Sequence, residues 1–157
     1  MKQVICTGLA VLDHVFQLPN IPKVPIKCFA SNYLQVGGGN AATAAVALKR
    51  AGGKAIFWGR LGDDHNGDII LEELKELGVD VQDVLRQQGV KSGVSSVLID
   101  SAGERLITNY NDQKLITNAD WLPIERIKES NAVLVDFRWH KGAIKTLRKA
   151  RELGIPA

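Results

Sequence analysis

Three observations in this sequence of 157 residues predict an α/β fold. Short apolar runs at Lys2–Thr7, Lys54–Trp58 and Ala132–Asp136 have the length and composition of buried parallel strands. Segments at 40–50, 66–77 and 141–153 carry apolar residues at helical spacing. Glycine clusters, Gly37-Gly38-Gly39 and Gly59-Arg60-Leu61-Gly62, mark the switches between the two periodicities. Strand-like and helix-like segments in alternation are the rhythm of a sheet whose strands cross over through helices.

Taken in order, Lys2–Thr7 is a first strand closed by Gly8. Asp13 follows a few residues on, near its carboxyl end, where open α/β sheets bind ligands, a surface-loop carboxylate being the plainer alternative. Pro19, Pro22 and Pro25 keep the next segment extended. Ile26–Val36 alternates loosely around Phe29, Tyr33 and Val36 and reads as a strand outside the main sheet. Gly37, Gly38 and Gly39 let the backbone turn sharply and approach a ligand, although a tight strand-to-helix turn is the plainer reading. Asn40 is placed to cap the alanine-rich helix through Arg50, with free amides behind it aimed at whatever sits on the glycines.

After strand Lys54–Trp58 the glycine-bounded segment to Asp64 reads as a loop, and Asn66–Leu77 as a helix ended by Gly78. Asp63 and Asp64 read as cap or dipole partners of that helix in preference to metal ligands. Val79–Leu85 reads as a short strand, and Ser92–Ile99 with Arg105–Tyr110 as a hairpin around Asp100–Glu104. A short helix runs to Ile127 before the strand Ala132–Asp136. Lys141–Leu153 places Ile144, Leu147, Ala150 and Leu153 on one face, and Ile155-Pro156-Ala157 looks like the start of another strand.

Hydrophobic content of 45% and charged content of 24% are those of a soluble globular domain with a sizeable core. The net charge of +3 arises from interleaved charges with no basic block, which says little about partners, and no nucleic-acid or membrane partner is expected. No apolar run reaches the length of a bilayer span, and no signal peptide opens the chain, so a cytoplasmic protein is expected. Two cysteines, Cys6 in a buried strand and Cys28 in an outer strand, fit a reducing compartment. The three histidines are scattered and read as surface residues.

The stretch Gly37–Val79, the strand ending in Thr7-Gly8 with Asp13 after it, and the Asp100–Arg105 turn together resemble the first half of the ribokinase-type (PfkB) carbohydrate kinases. Within that family the nearest resemblance is to kinases of sulfofructose, carried by Lys27, Asn109-Tyr110 and Asp136-Phe137-Arg138-Trp139-His140. The resemblance implies a ribokinase-like three-layer Rossmann-type sheet with a small β lid. The lid segments fall at about 15–36 and 92–112. Residues 1–157 would form the N-terminal, substrate-binding part of one such domain, its C-terminal catalytic half absent.

That implies an ATP-dependent sugar kinase using Mg2+, acting on 6-deoxy-6-sulfofructose to give its 1-phosphate, and dimerising through the lid. The alternatives are a non-catalytic sugar-binding or dimerisation fragment, or a kinase for another (phospho)ketose, ribose or a nucleoside. The family's Gly-Ala-Gly-Asp and Asn-x-x-Glu motifs are not found in this sequence, so no catalytic or metal residue is assigned and this chain alone is expected to be inactive. The implied substrate-binding residues are Asp13, Lys27, Gly37, Gly38, Gly39, Asn40, Asn109 and Arg138. Asp13 and the glycine backbone would hold sugar hydroxyls. Lys27 on a lid strand, with Asn109 and Arg138, would converge on an anionic group. Arg138 also reads as a surface arginine beside Trp139. One departure stands out: Ala42 occupies a position where many members carry a sugar-binding asparagine.

Overall fold

The computed structural model describes residues 2–157. In chain order the elements are β1 (Gln3–Thr7), β2 (Val11–Gln17), β3 (Asn32–Gly38), α1 (Asn40–Arg50), β4 (Lys54–Trp58), β5 (Arg60–Gly62), α2 (His65–Glu76), β6 (Leu85–Gln87), β7 (Val94–Ile99), β8 (Arg105–Tyr110), a 3-10 turn at Ile124–Glu129, β9 (Ala132–Val135) and α3 (His140–Glu152).

The three apolar runs pair as parallel strands in the order β4-β1-β9. Alternation along β1 feeds two cores. Val4 and Cys6 join Ala41, Ala45, Phe57 and Ile70 on one face, and Ile5 joins Ile56, Trp58, Ile127 and Val133 on the other. With α1 and α2 against the first core and α3 against the second, the arrangement is the three-layer one expected. Cys6 lies within the sheet, where burial pushes its thiol up to about 12, so it stays protonated and inert. A second, mixed sheet in the order β3-β2-β7-β8 stands beside the first as the lid, and β5 pairs with β6 in a small parallel ribbon.

Several boundaries differ from expectation. Residue 13 does not lie in a loop; Val11–Gln17 is a strand at the centre of the lid sheet. The outer strand starts at Asn32, so Lys27 and the exposed Cys28 belong to the extended segment before it. The Gly59–Asp64 segment contains β5, and the strand placed at 79–85 is a single bridge, Ile56 with Asp80, followed by β6. Helix α3 turns Gly142, Ala143, Thr146 and Ala150 inward and leaves Ile144, Leu147 and Leu153 partly exposed. The cause is close packing: a Cβ on Gly142 would lie 2.4 Å from the Trp139 ring, so only small residues fit between helix and sheet. Val133 donates to the Pro156 carbonyl at 2.9 Å, so the backbone beyond α3 comes back beside β9, although residues 155–157 form no strand of their own.

Asp64 caps α2 as its position suggests, accepting from Gly67 N at 3.0 Å and from Ser92 Oγ at 2.6 Å and Ser92 N at 3.0 Å. Burial raises its pKa, but the Ser92 and Gly67 donors and the nearby Arg86 outweigh that and hold it below 3.8. A depressed native pKa contributes stability that is fully present above the unfolded value and is lost as pH falls through the native one. The stability gap between wild type and Asp64→Asn should therefore narrow as pH drops below 3.8. Urea titrations across acid pH measure it, and a gap that stays constant would show that Asp64 does not act through its charge.

Candidate functional site

Asp136, at the carboxyl end of β9, organises the region where the two sheets meet. It is buried, and its Oδ2 accepts from Leu9 N at 2.8 Å and Ala41 N at 3.1 Å. Its Oδ1 accepts from Arg138 N at 2.9 Å. One carboxylate thus ties the end of β1, the start of α1 and the segment leading into α3. The negative group sits at the positive end of α1. This corrects two expectations. The cap position of α1 is Gly39, with no side-chain cap bond, and Asn40 is the exposed first residue of the helix. The first amides of α1 are also taken: Ala41 N by Asp136, Ala42 N by Leu9 O at 3.3 Å, and Thr43 N by Gly39 O at 2.8 Å.

The three glycines face different surroundings. A Cβ on Gly37 would meet the Glu73 carboxylate at 2.8 Å, on the α2 side of the strand. One on Gly38 would lie 2.2 Å from Asp13 Oδ2, and one on Gly39 would lie 2.4 Å from the Leu9 carbonyl oxygen. Gly37 and Gly38 thus each admit a carboxylate close to backbone, Glu73 and Asp13 respectively, and of these two acids only Asp13 is one of the residues expected at the site. Ala42, where a sugar-binding asparagine was considered, is buried in the α1 core.

The register of the lid sheet does what the sequence does not display. Asp13 pairs with Val36 and Ser95, and Ser95 pairs with Asn109, so Asp13, Ser95 and Asn109 form one row on one face across three strands. Asn109 Nδ2 donates to the buried Ser95 Oγ at 2.7 Å, which fixes the amide. Sequence reasoning found the two ends of the row and missed Ser95; its signal was a polar residue interrupting the apolar alternation of β7.

Beside this row lies a cavity of about 290 Å³, lined among others by Leu9, Arg60, Asn109, Asn111, Asp112 and Arg138. Asn109 and Arg138, chosen from different parts of the sequence, share it. Lys27 does not: it lies before β3, with Nζ over the Phe29 ring at 5.2 Å. Arg138 is exposed apart from its backbone bond to Asp136. The residue held against Trp139 is Arg60, whose guanidinium lies 4.8 Å from the indole centroid. Trp139 is itself fixed, donating from Nε1 to Thr117 O at 2.9 Å and stacking on Trp121 at 5.4 Å. Burial lowers Arg60 to about 10, opposed by the Asp136 charge, and it remains a cation at neutral pH. Arg60 was passed over because an arginine in a glycine-bounded loop carries no local mark of burial.

The pfkB family carbohydrate kinases match this chain over residues 1–140. The chain belongs to that family. Among curated PfkB relatives, Fructokinase-1 of Zea mays is 32% identical over 81% of this chain, and ketohexokinase of Mus musculus is 30% identical over 88%. The chain spans 39% and 44% of the lengths of those two proteins. Among solved structures, a candidate ribokinase from Agrobacterium tumefaciens superposes with a TM-score of 0.95 at 41% identity, covering 99% of this chain and 51% of that one. An Arabidopsis thaliana ribokinase complexed with ribose and ATP superposes at 0.82 with 22% identity, a likeness of fold, covering 99% of this chain and 51% of that one. The ribokinase-like α/β fold read from the glycine region is the fold observed, and the relatives named are fructokinases, ribokinases and ketohexokinase. None of those named is a sulfofructose kinase, so that narrower assignment stays outside the family identification.

Proposed function

We propose that this chain is the substrate-binding part of an ATP-dependent PfkB sugar kinase whose sugar carries an anionic terminal group. The observation that carries the reading is the meeting of Arg138 and Asn109 in one cavity, beside the row that holds Asp13. Asp13, over Gly38, supplies a fixed acceptor for sugar hydroxyls, with the Gly38–Asn40 backbone closing that end. Asn109, oriented by Ser95, and Arg138 address the far end, where a guanidinium fork suits a tetrahedral oxyanion. A ketose ending in sulfonate or phosphate meets these demands, and 6-deoxy-6-sulfofructose, taken to its 1-phosphate, is the member we place first. The role of Lys27 as a third anion contact loses support, because it lies outside this cavity.

ATP is the phosphoryl donor implied by the family, yet the residues present form no cradle for its phosphates or for Mg2+. The Ala41, Ala42 and Thr43 amides of α1 are engaged by protein acceptors, and among the described residues no three Asp, Glu, His or Cys side chains gather to hold a metal. No catalytic step is assigned to this chain for that reason. The exposed Phe29, Tyr33, Leu106, Ile107 and Tyr110 of the lid support a homodimer formed through it. Two free cysteines and the lack, among the described residues, of a helix long and apolar enough to cross a membrane support a cytoplasmic protein.

A second reading, a neutral ketose, is favoured by the fructokinase relatives. Steady-state kinetics of the complete enzyme with 6-deoxy-6-sulfofructose, fructose 6-phosphate and fructose separate the two. Arg138→Ala should lose about 2 kcal/mol on an anionic substrate, the low end for a charged contact because Arg138 is exposed. A wild-type preference for fructose would favour the neutral reading, and either that preference or an unchanged kcat/KM for the anionic ketoses in Arg138→Ala would overturn the anion-pocket reading.

A further inference from the structure

Arg60 is the half-buried cation of this region, and its hydrogen bonding is incomplete. Its Nε donates to the Ile116 carbonyl at 2.5 Å and its plane rests on Trp139, so the guanidinium is held from one edge and one face. The ion pairs among the described residues involve Arg86, Arg126, Lys145 and Lys149, and Arg60 joins none of them. Asp136 attracts it through space, but the carboxylate oxygens are engaged by the Leu9, Ala41 and Arg138 amides. The other acid at the cavity, Asp112, accepts from Lys91 N at 3.0 Å and Lys114 N at 2.9 Å. Among the described residues neither terminal nitrogen of Arg60 has a hydrogen-bond partner, and Arg60 lines the same cavity as Arg138 and Asn109. Two cations in one cavity repel each other, and Asp136, whose oxygens are taken by backbone amides, only partly offsets the desolvation of the Arg60 guanidinium. An anion between them removes both penalties.

We infer that Arg60 is a specificity-determining residue: the fixed cation of the anion pocket, offering its terminal nitrogens to a sulfonate or phosphate on the substrate while Arg138 closes from the exposed side. The inference rests on the reading of this cavity as the site of a terminal anion. It replaces Lys27 with Arg60 as the second positive contact. A rigid guanidinium already desolvated and stacked loses little freedom when the anion arrives, so Arg60 sets the preference for charged over neutral ketoses.

The test is calorimetric titration of the full chain with 6-deoxy-6-sulfofructose, fructose 6-phosphate and fructose. It is run for wild type, Arg60→Met, Arg60→Lys and Arg138→Ala, with melting curves for each. Arg60→Met keeps the aliphatic stem on Trp139 and removes the charge. It should lower affinity for the two anionic ketoses at least tenfold more than for fructose, and Arg60→Lys should recover part of that preference. Equal losses on all three ligands would mark Arg60 as purely structural and overturn the inference, as would no loss on any. If instead wild type has no anion preference, or Arg138→Ala retains it in full, the pocket reading itself falls and takes the inference with it. Should Arg60→Met unfold, Arg60→Gln, which keeps a donor for the Ile116 carbonyl, gives the same comparison with the same deciding outcomes.

Discussion

Replacing Asp136 with alanine is expected to destabilise this chain by about 3–5 kcal/mol, because it strands three backbone donors and a cation at once. The Leu9 and Ala41 amides share Oδ2 and the Arg138 amide takes Oδ1, in a position with almost no solvent contact. Water cannot replace these bonds without opening the junction of β1, α1 and β9, and Arg60 loses the nearby charge that opposes its desolvation. Against a total stability of roughly 5–15 kcal/mol for a small domain, such a loss brings the chain close to unfolding. Asp136→Asn should cost about half as much, since one oxygen still accepts while the new amino group faces an N–H. Urea unfolding followed by far-UV circular dichroism measures both. A loss below about 1 kcal/mol for Asp136→Ala would mean that the three amides find other partners.

Gly39→Ala should be the next most damaging change, by about 3 kcal/mol, for two reasons that add. Gly39 has φ +95°, which an L side chain rarely adopts, and its Cβ would enter backbone: Leu9 O at 2.4 Å and Ala10 Cα at 2.7 Å. This backbone is the short connection between β1 and β2, anchored by the Leu9 bonds to Asp136 and Ala42, and it cannot swing aside as a side chain can. Two neighbouring cases isolate the causes. Gly89 has φ +73° with nothing within 4 Å, so Gly89→Ala should show the conformational term alone, about 1 kcal/mol. Gly38→Ala collides with Asp13 Oδ2, the end of a side chain, so it should unfold the protein less than Gly39→Ala while displacing Asp13 and weakening sugar binding. Melting curves of the three variants give the order, and Gly89→Ala equalling Gly39→Ala would show that the Leu9 contact is not what constrains this turn.

What the residues determine by themselves is the local order of the chain. Asn40–Arg50 and Lys54–Trp58 emerged with the expected bounds because a run of helix formers and a run of buried strand residues each leave one favourable local state. The hairpin, the Asp64 cap and the turn at Gly78, with φ +77°, were legible for the same reason, each depending on neighbours a few positions away. Strand β2 was not, since Val-Leu-Asp-His-Val-Phe-Gln alternates imperfectly and becomes a strand only when β3 and β7 flank it. The inward face of α3 was misjudged for a related reason: the buried Trp139 ring leaves room only for Gly142, and the helix turns Ala143, Thr146 and Ala150 inward, where hydrophobicity alone favours Ile144 and Leu147.

The candidate site divides along the same line. Asp13, Asn109 and Arg138 could be singled out as chemistry-bearing residues one at a time. Only the strand register sets Asp13, Ser95 and Asn109 in a row, and only contacts across 127 and 95 positions of sequence bring the Leu9 and Ala41 amides to Asp136. Arg60 shows it most plainly. Its burial comes from Ile116, 56 positions away, and from the Trp139 ring, neither of which any local pattern announces. Side-chain identity is written in the chain; desolvation and convergence, which give a charge its function, arise only when distant segments meet.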